Sequence, residues 1–234
     1  MRRIIIVTMT VVFAFGAAES QSTGKIKLTA TEVLEKVEEM YATVNDASAE
    51  FTQTVSFKYA KVEQSFSGTV SMKKKNKYRV ESQQQTLVTD GATVWAYSPV
   101  NNQVLIDTYR ESPNTFSPEK FLVGLPKNFR AALVDDNTLN ESSLRPEGHA
   151  ATVLKLLPKS DVSKFVKSMK VWINDNDWSV RRVEYIDMNE TRTVYSLKSI
   201  TFNSGISDER FTFKVPEKVE IVDLRSVEQK LPHQ

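Results

Sequence analysis

The 234-residue chain contains no cysteine, only two histidines and only seven glycines. Without cysteine there can be no disulfide staple, thiolate metal site, cysteine nucleophile or lipid-modified N-terminal cysteine. His149 lies in the polar turn after Pro146-Glu147-Gly148 and His233 is penultimate, so a paired-histidine metal site is hard to build and none is expected. The scarce glycines form no phosphate-cradling loop, and Ser67-Gly68 and Ser204-Gly205 lack the Gly-x-Ser-x-Gly spacing of a nucleophile elbow. A dominant charge is missing as well: 31 Lys+Arg face 29 Asp+Glu, which gives no basic field for nucleic acid. Asp107, Glu184 and Asp187 fall in strands or at strand ends, where solvated charge is the ordinary reading rather than a desolvated acid–base pair. Asn140-Glu141-Ser142 matches a glycosylation acceptor, a pattern that also arises by chance. The expectation is a non-enzyme without a cofactor.

A long apolar run is also lacking. The best candidate, Ile4 to Phe15, is short of the roughly 20 residues that a spanning helix needs. It follows Met1-Arg2-Arg3 and precedes Gly16-Ala17-Ala18, the order of a secretory signal peptide cleaved after Ala18. Removing residues 1–18 discards Arg2 and Arg3 and leaves 29 basic against 29 acidic residues. The expected product is a soluble exported protein, residues 19–234, folded as a single domain.

What is present is one helical period followed by many strand periods. Thr29 and Glu32 have capping-box spacing, and Val33, Leu34, Val37, Met40, Tyr41 and Val44 form one apolar stripe before Asn45-Asp46 ends the helix. From Phe51 the period becomes two: Phe66, Gly68, Val70 and Met72 share a face, and Tyr78 and Val80 resume it after the polar turn at Lys73-Lys74-Lys75-Asn76. Asp90-Gly91 predicts a type I′ hairpin turn between Leu87–Thr89 and Thr93–Tyr97, with Val104–Ile106 as the next strand. Ser112-Pro113 and Ser117-Pro118 look like helix starts; Phe121, Leu122, Val123 and Leu125 suggest a short helix, and Phe129–Val134 is a candidate for another. Strands return at 151–157, 165–173, 178–187 and 191–203, with a last one holding Phe211 and Phe213. So long an antiparallel meander must curl, since open twisted sheets rarely exceed about ten strands. The fold expected is mainly β (α+β), an incomplete antiparallel β-barrel whose apolar concave face is plugged by helices, enclosing either a core or a cavity. Lys73, Lys74, Lys75, Lys77 and Arg79 concentrate positive charge on one hairpin, either discouraging edge pairing or contacting an acidic partner or lipid head group. Trp95, Tyr97, Tyr78, Phe121 and Trp172 are core by default, with pocket lining as the alternative.

Several stretches resemble the LolA-like outer-membrane lipoprotein carrier proteins of Gram-negative bacteria. They are Ala49-Glu50-Phe51-Thr52-Gln53-Thr54-Val55, the hairpin from Gly68-Thr69-Val70 to Val80, Leu87 through Pro99 with its Asp-Gly…Val-Trp…Tyr…Pro order, and Phe211-Thr212-Phe213-Lys214-Val215-Pro216. The resemblance implies a periplasmic, monomeric chaperone that holds lipoprotein acyl chains in an apolar cavity, binding neither nucleotide nor metal. It would collect cargo from an inner-membrane lipoprotein-releasing ABC transporter and pass it to an outer-membrane receptor. The receptor on this fold is normally anchored through an acylated cysteine, so a chain without cysteine fits the carrier. The cavity lining implied comprises Tyr41, Val70, Met72, Tyr78, Val80, Val94, Ala96, Phe121 and Leu122. Trp95 and Tyr97 compete with Val94 and Ala96 for the inward face. Family carriers lock a helical lid with a hairpin arginine; alignment puts Lys74 there, flanked by Lys73 and Lys75, and lysine lacks the planar fork that bridges several carbonyls. A lipid- or glycolipid-binding shuttle or sensor on the same fold, or a periplasmic adaptor with a filled core, are the other readings.

Overall fold

The computed structural model describes residues 28–110, 129–134, 151–159 and 166–225. The leader at 1–18 and the Pro-initiated helix starts at 112–118 lie outside the described residues.

Thr29 starts helix α1 (Ala30–Ala42) with the capping box its spacing implies: the Glu32 amide donates to the Thr29 hydroxyl, and the Thr29 amide donates to the Glu32 carboxylate. Val33, Leu34, Val37 and Tyr41 are buried along one side. Six antiparallel strands follow as consecutive hairpins: β1 (Asp46–Phe57), β2 (Val62–Lys73), β3 (Lys77–Ser82), β4 (Thr86–Asp90), β5 (Thr93–Ser98) and β6 (Gln103–Thr108). After them come β7 (Phe129–Leu133), β8 (Ala151–Pro158), β9 (Val166–Asn174), β10 (Val180–Asp187) and β11 (Thr191–Phe202), and last β12 (Glu220–Asp223). All twelve join one sheet in the order β12-β6-β5-β4-β3-β2-β1-β11-β10-β9-β8-β7. The two end strands do not pair, so the sheet is an open, curved one, the incomplete barrel that the strand count required.

Three local expectations are corrected. Residues 129–133 form strand β7, not a helix: Phe129 and Ala131 pack against the core while Arg130 and Ala132 face out, and pairing with β8 satisfies their backbone groups. So short an apolar run fits either period, and the adjacent ladder decides it. The β4–β5 turn takes positive φ at Gly91 (94°) and not at Asp90 or Ala92, the pattern of a type II′ turn with glycine first. Asp90 instead ends its strand and accepts hydrogen bonds from the Ala92 and Thr93 amides. Phe211 and Phe213 do not make a strand. Phe211 ends a single 3-10 turn (Asp208–Phe211) and is fully buried, whereas the last strand is β12, parallel to β6.

Directly paired residues share a sheet face, and this separates two surfaces along the ladder. Leu154, Val171, Val183, Tyr195, Gln53, Phe66 and, farther on, Val70, Val80, Leu87 and Ala96 follow one another across the concave face. Helix α1 covers the β8–β10 half of that face, where Val33, Leu34 and Val37 cluster with Leu154, Leu156, Met169, Val171 and Ile173. On the convex face, the segment between β11 and β12 lies as a strap over β2 to β4. Asp46 anchors its start by accepting from the Ser204 and Gly205 amides, and the ring of Phe213 meets that of Tyr97 at 6.0 Å.

Candidate functional site: an uncharged cavity in the curved sheet

The half of the concave face that α1 leaves uncovered encloses a cavity of about 460 Å³. Its walls come from β1 (Ala47, Ser48, Ala49, Phe51, Gln53), β2 (Phe66, Val70, Met72), β3 and the turn after it (Tyr78, Val80, Ser82, Gln84, Gln85), and Leu87 of β4. The far wall is Val180, Val183, Tyr195, Leu197, Ile200 and Phe202 of β10 and β11, with Tyr41 of α1. Among these described lining residues none carries a charge. The volume lies within the roughly 300–1,000 Å³ of small-molecule sites, and the apolar lining with a few polar groups is their usual composition.

The cavity has a tight end and an open end. At the tight end Tyr41, Ala47 and Tyr78 are buried, and the Tyr41 hydroxyl accepts a hydrogen bond from the Val180 amide at 3.1 Å. At the other end Gln84 and Gln85 are exposed. From Ala47 to Gln53 is six strand steps, a depth of about 20 Å at roughly 3.3 Å per residue. One acyl chain spans half of a bilayer's roughly 30 Å hydrocarbon core, a length within that depth.

The tyrosines keep the lining neutral. Burial pushes the Tyr41 hydroxyl up to about 12. Burial also raises Tyr78, with the neighbouring Tyr109 adding to it, and raises Tyr195, whose ring stacks at 6.5 Å on Tyr185. All three hydroxyls stay protonated at neutral pH, so no phenolate breaks the uncharged lining.

Of the residues singled out from sequence, Tyr41, Val70, Met72, Tyr78 and Val80 line this cavity. Val94 and Ala96 pair with Thr89 and Leu87, which puts them on the concave face and Trp95 and Tyr97 on the convex one, but the lining stops at Leu87. Phe121 and Leu122 lie outside the described residues. Sequence reasoning passed over Phe51, Gln53 and Phe66, although they continue the same alternation, and over the β10–β11 wall, which only the β1–β11 pairing brings into place.

The basic hairpin divides its work. Lys73 and Lys77 both pair with Asp208 of the strap at 2.7 Å, and Lys73 also donates to the Ile206 carbonyl. Arg79 donates to the Arg210 and Thr212 carbonyls and pairs with Glu81, which pairs in turn with Arg210. Those three cations hold the strap on the convex face. Lys74 points elsewhere: its Nζ donates to the Ala42 carbonyl at the end of α1 at 3.3 Å. No basic residue occupies the last turn of α1, so Lys74 supplies the cation that a helix C-terminus favours. Lys75 is exposed and left-handed (φ 72°) beneath Gly91. Among the described residues no group of three His, Asp or Glu is placed to hold a metal ion.

Comparison with known proteins agrees with this geometry. An outer-membrane lipoprotein carrier protein of Pasteurella multocida (strain Pm70) is 28% identical over 193 residues, 81% of this chain and 86% of that protein. The one from Actinobacillus pleuropneumoniae serotype 7 (strain AP76) is 30% identical over 185 residues, 78% of this chain and 79% of that protein. The crystal structure of an uncharacterized conserved protein from Thermus thermophilus shares the fold, with a TM-score of 0.50 at 15% identity over 83% of this chain and 98% of that one. The family model for the outer membrane lipoprotein carrier protein LolA matches residues 42–214, from the end of α1 through every strand of the cavity wall to the strap, and the chain belongs to that family.

Proposed function

We propose that the protein is a periplasmic carrier that shelters the acyl chains of lipoproteins in the cavity between β1–β4 and β10–β11. The carrying observation is the lining: about 20 Å of apolar strand face with no charge among its described residues, open at one end. Burial of acyl chains supplies roughly 0.8 kcal/mol per methylene, and hand-over requires only that a receptor's cavity exceed this by a modest margin. In this reading the signal-like leader exports the chain. An inner-membrane lipoprotein-releasing transporter loads it, and an outer-membrane receptor unloads it. Lys74, through its bond to the Ala42 carbonyl, ties the β2–β3 hairpin to α1 and resists opening of the tight end. With one donor group where an arginine would offer a fork, that tie is weak and easily released.

The test is release of labelled lipoproteins from spheroplasts by the added mature protein, in cells with their transporter intact. Soluble complexes of lipoprotein with the carrier are expected, and Tyr78→Glu is expected to abolish them. No release by the wild-type protein overturns the carrier reading. Co-purification of a glycolipid or other amphiphile in place of lipoproteins favours a shuttle or sensor on the same fold.

A further inference from the structure

The β1–β2 and β10–β11 turns lie side by side at the open end of the cavity. Phe57 pairs with Thr191, and Lys58 Nζ reaches Glu190 Oε2 at 3.4 Å. From these two turns four large apolar side chains stand in solvent: Tyr59 (81% exposed), Met188 (62%), Val62 (46%) and Phe57 (39%). A single exposed apolar residue is ordinary, but four at one tip form a patch that needs a reason.

The patch continues the cavity. Phe57 and Val62 are cross-strand partners, and each belongs to the concave-face row of its strand: Phe51, Gln53, Val55, Phe57 on β1 and Phe66, Gln64, Val62 on β2. The concave face thus runs past the Gln53–Phe66 pair for four more residues, about 13 Å at roughly 3.3 Å per residue, with Val55, Phe57 and Val62 as its apolar members and Gln64 between them. The exposed Gln84 and Gln85 border the cavity on the same side.

Among the described residues of the two turns and the adjoining start of β9, the charges balance: Lys58, Lys61 and Lys167 stand against Glu63, Asp187 and Glu190. Lys58 and Lys167 both engage Glu190, Glu63 accepts from the Ser56 hydroxyl, and Asp187 accepts from the Asn189 and Thr191 amides. What the tip presents is therefore two aromatic rings, one with a polar hydroxyl, together with a valine, a methionine and lysine stems. That combination suits the boundary between water and hydrocarbon, where one end of a side chain is wet and the other dry. Four projecting side chains fall short of the 20–30 residues a side of a stable protein interface, whereas a lipid surface demands no complementary shape.

We propose that this two-turn tip docks on the surface of a lipid bilayer and brings the open end of the cavity to the headgroups. Because the chain has no cysteine, Tyr59→Cys and Asn176→Cys each create a single labelling site. Asn176 lies in the β9–β10 turn at the opposite end of the sheet. Each variant carries a polarity-sensitive fluorophore and is mixed with vesicles of phosphatidylcholine, or of phosphatidylethanolamine with phosphatidylglycerol. A blue shift at position 59 and none at 176 is expected on both vesicle types. Unlabelled wild-type protein should float with the vesicles and do so equally at high salt, since the described charges of the tip balance. Tyr59→Ser combined with Met188→Ser, both at exposed turn positions, should lower the bound fraction about tenfold or more without moving the melting temperature. Failure of the wild type to float with bare vesicles assigns the patch to a protein contact and overturns the proposal. Equal shifts at both labels, or undiminished flotation of the double variant, overturns it too.

Discussion

Val80 lies midway along the row Ala49, Val70, Val80, Leu87 that crosses the cavity floor, and a single carboxylate there should convert the proposed acyl site into a pH-gated one. In the empty Val80→Asp protein the carboxylate is reached by water through the open end. A bound acyl chain removes that water, which disfavours the charged form and raises the carboxyl pKa in the complex. Burying an uncompensated charge costs several kcal/mol, but the group can take up a proton instead. From an unperturbed value near 3.9, protonation at pH 7 costs about 4 kcal/mol, which caps the charge penalty. Val80→Asn measures the polar cost alone, about 1–3 kcal/mol. At pH 7 the aspartate variant should therefore bind more weakly than the asparagine variant, by up to about a thousandfold. Each unit of falling pH should recover up to about tenfold until the two converge near pH 4. The assay is displacement of a fluorescent acyl probe by a long-chain monoacylglycerol, which is uncharged, so any pH dependence belongs to the protein. A Val80→Asp dissociation constant that stays flat between pH 7 and 5, or that equals the wild-type value, would refute the placement of the chain over β2 to β4.

Tyr41→Phe leaves the buried Val180 amide without its acceptor, and the urea midpoint should fall by the equivalent of about 1–3 kcal/mol; an unchanged midpoint contradicts the bond. Gly68→Ala places a methyl 2.0 Å from the Glu81 carbonyl and 2.9 Å from the Phe51 ring, so β2 and β3 must part. Destabilisation of about 1–3 kcal/mol is expected in chemical denaturation, and wild-type stability sinks the close approach. Lys73 and Lys77 bond to the Asp208 carboxyl and hold it down to about 2 from an ordinary 3.8. A depressed folded-state value means the stabilisation is present above pH 4 and fades as pH falls towards 2. Hydrogen exchange of the strap amides should accelerate over that window, and Asp208→Asn should show the accelerated exchange already at pH 7. Exchange that is pH-independent after correction for intrinsic rates would argue against the ion pairs as the strap's fastening.

Local chemistry made α1 legible. Thr29 and Glu32 satisfy each other's neighbouring amides within one turn, so nothing distant was needed to place the helix start. The alternations on β2 and β3 were legible for the same reason, and they led directly to Val70, Met72, Tyr78 and Val80. Long-range pairing was not legible. Tyr195 and Leu197 reach the cavity because β11 pairs with β1 across more than a hundred residues of chain, a register that neither strand encodes alone. At Trp95 and Tyr97, apolar residues on both faces left the inward side open. The strap resolves this by giving the convex face its own partners in Phe211 and Phe213. The alternation at Phe211-Thr212-Phe213 mimicked a strand, although burial under a strap rewards aromatic residues without requiring a ladder. The hairpin cations could be seen but not their carboxylates, since Asp208 lies 131 residues beyond Lys77.

The same period of two that builds the sheet also sorts its charge. Lys73, Lys77, Arg79 and Glu81 alternate with Met72, Tyr78 and Val80, so a residue that fastens the strap outside is always next to one that lines the cavity inside. Keeping the inside apolar therefore forces the polar alternates outward, and the strap turns that row of charges into a seal. The empty volume has an equally local origin. Under α1 the concave face carries Leu154, Leu156, Met169 and Ile173, which fill the space beneath the helix. Across β1 to β3 it carries Ala47, Ala49, Val70 and Val80, which are too small to fill the space they share with Tyr195 and Leu197. A close-packed interior would have been reached by enlarging two or three of them, at a gain in stability. Small residues retained opposite large ones, in a fold whose other half is well filled, make the cavity a property of the sequence rather than a failure of packing.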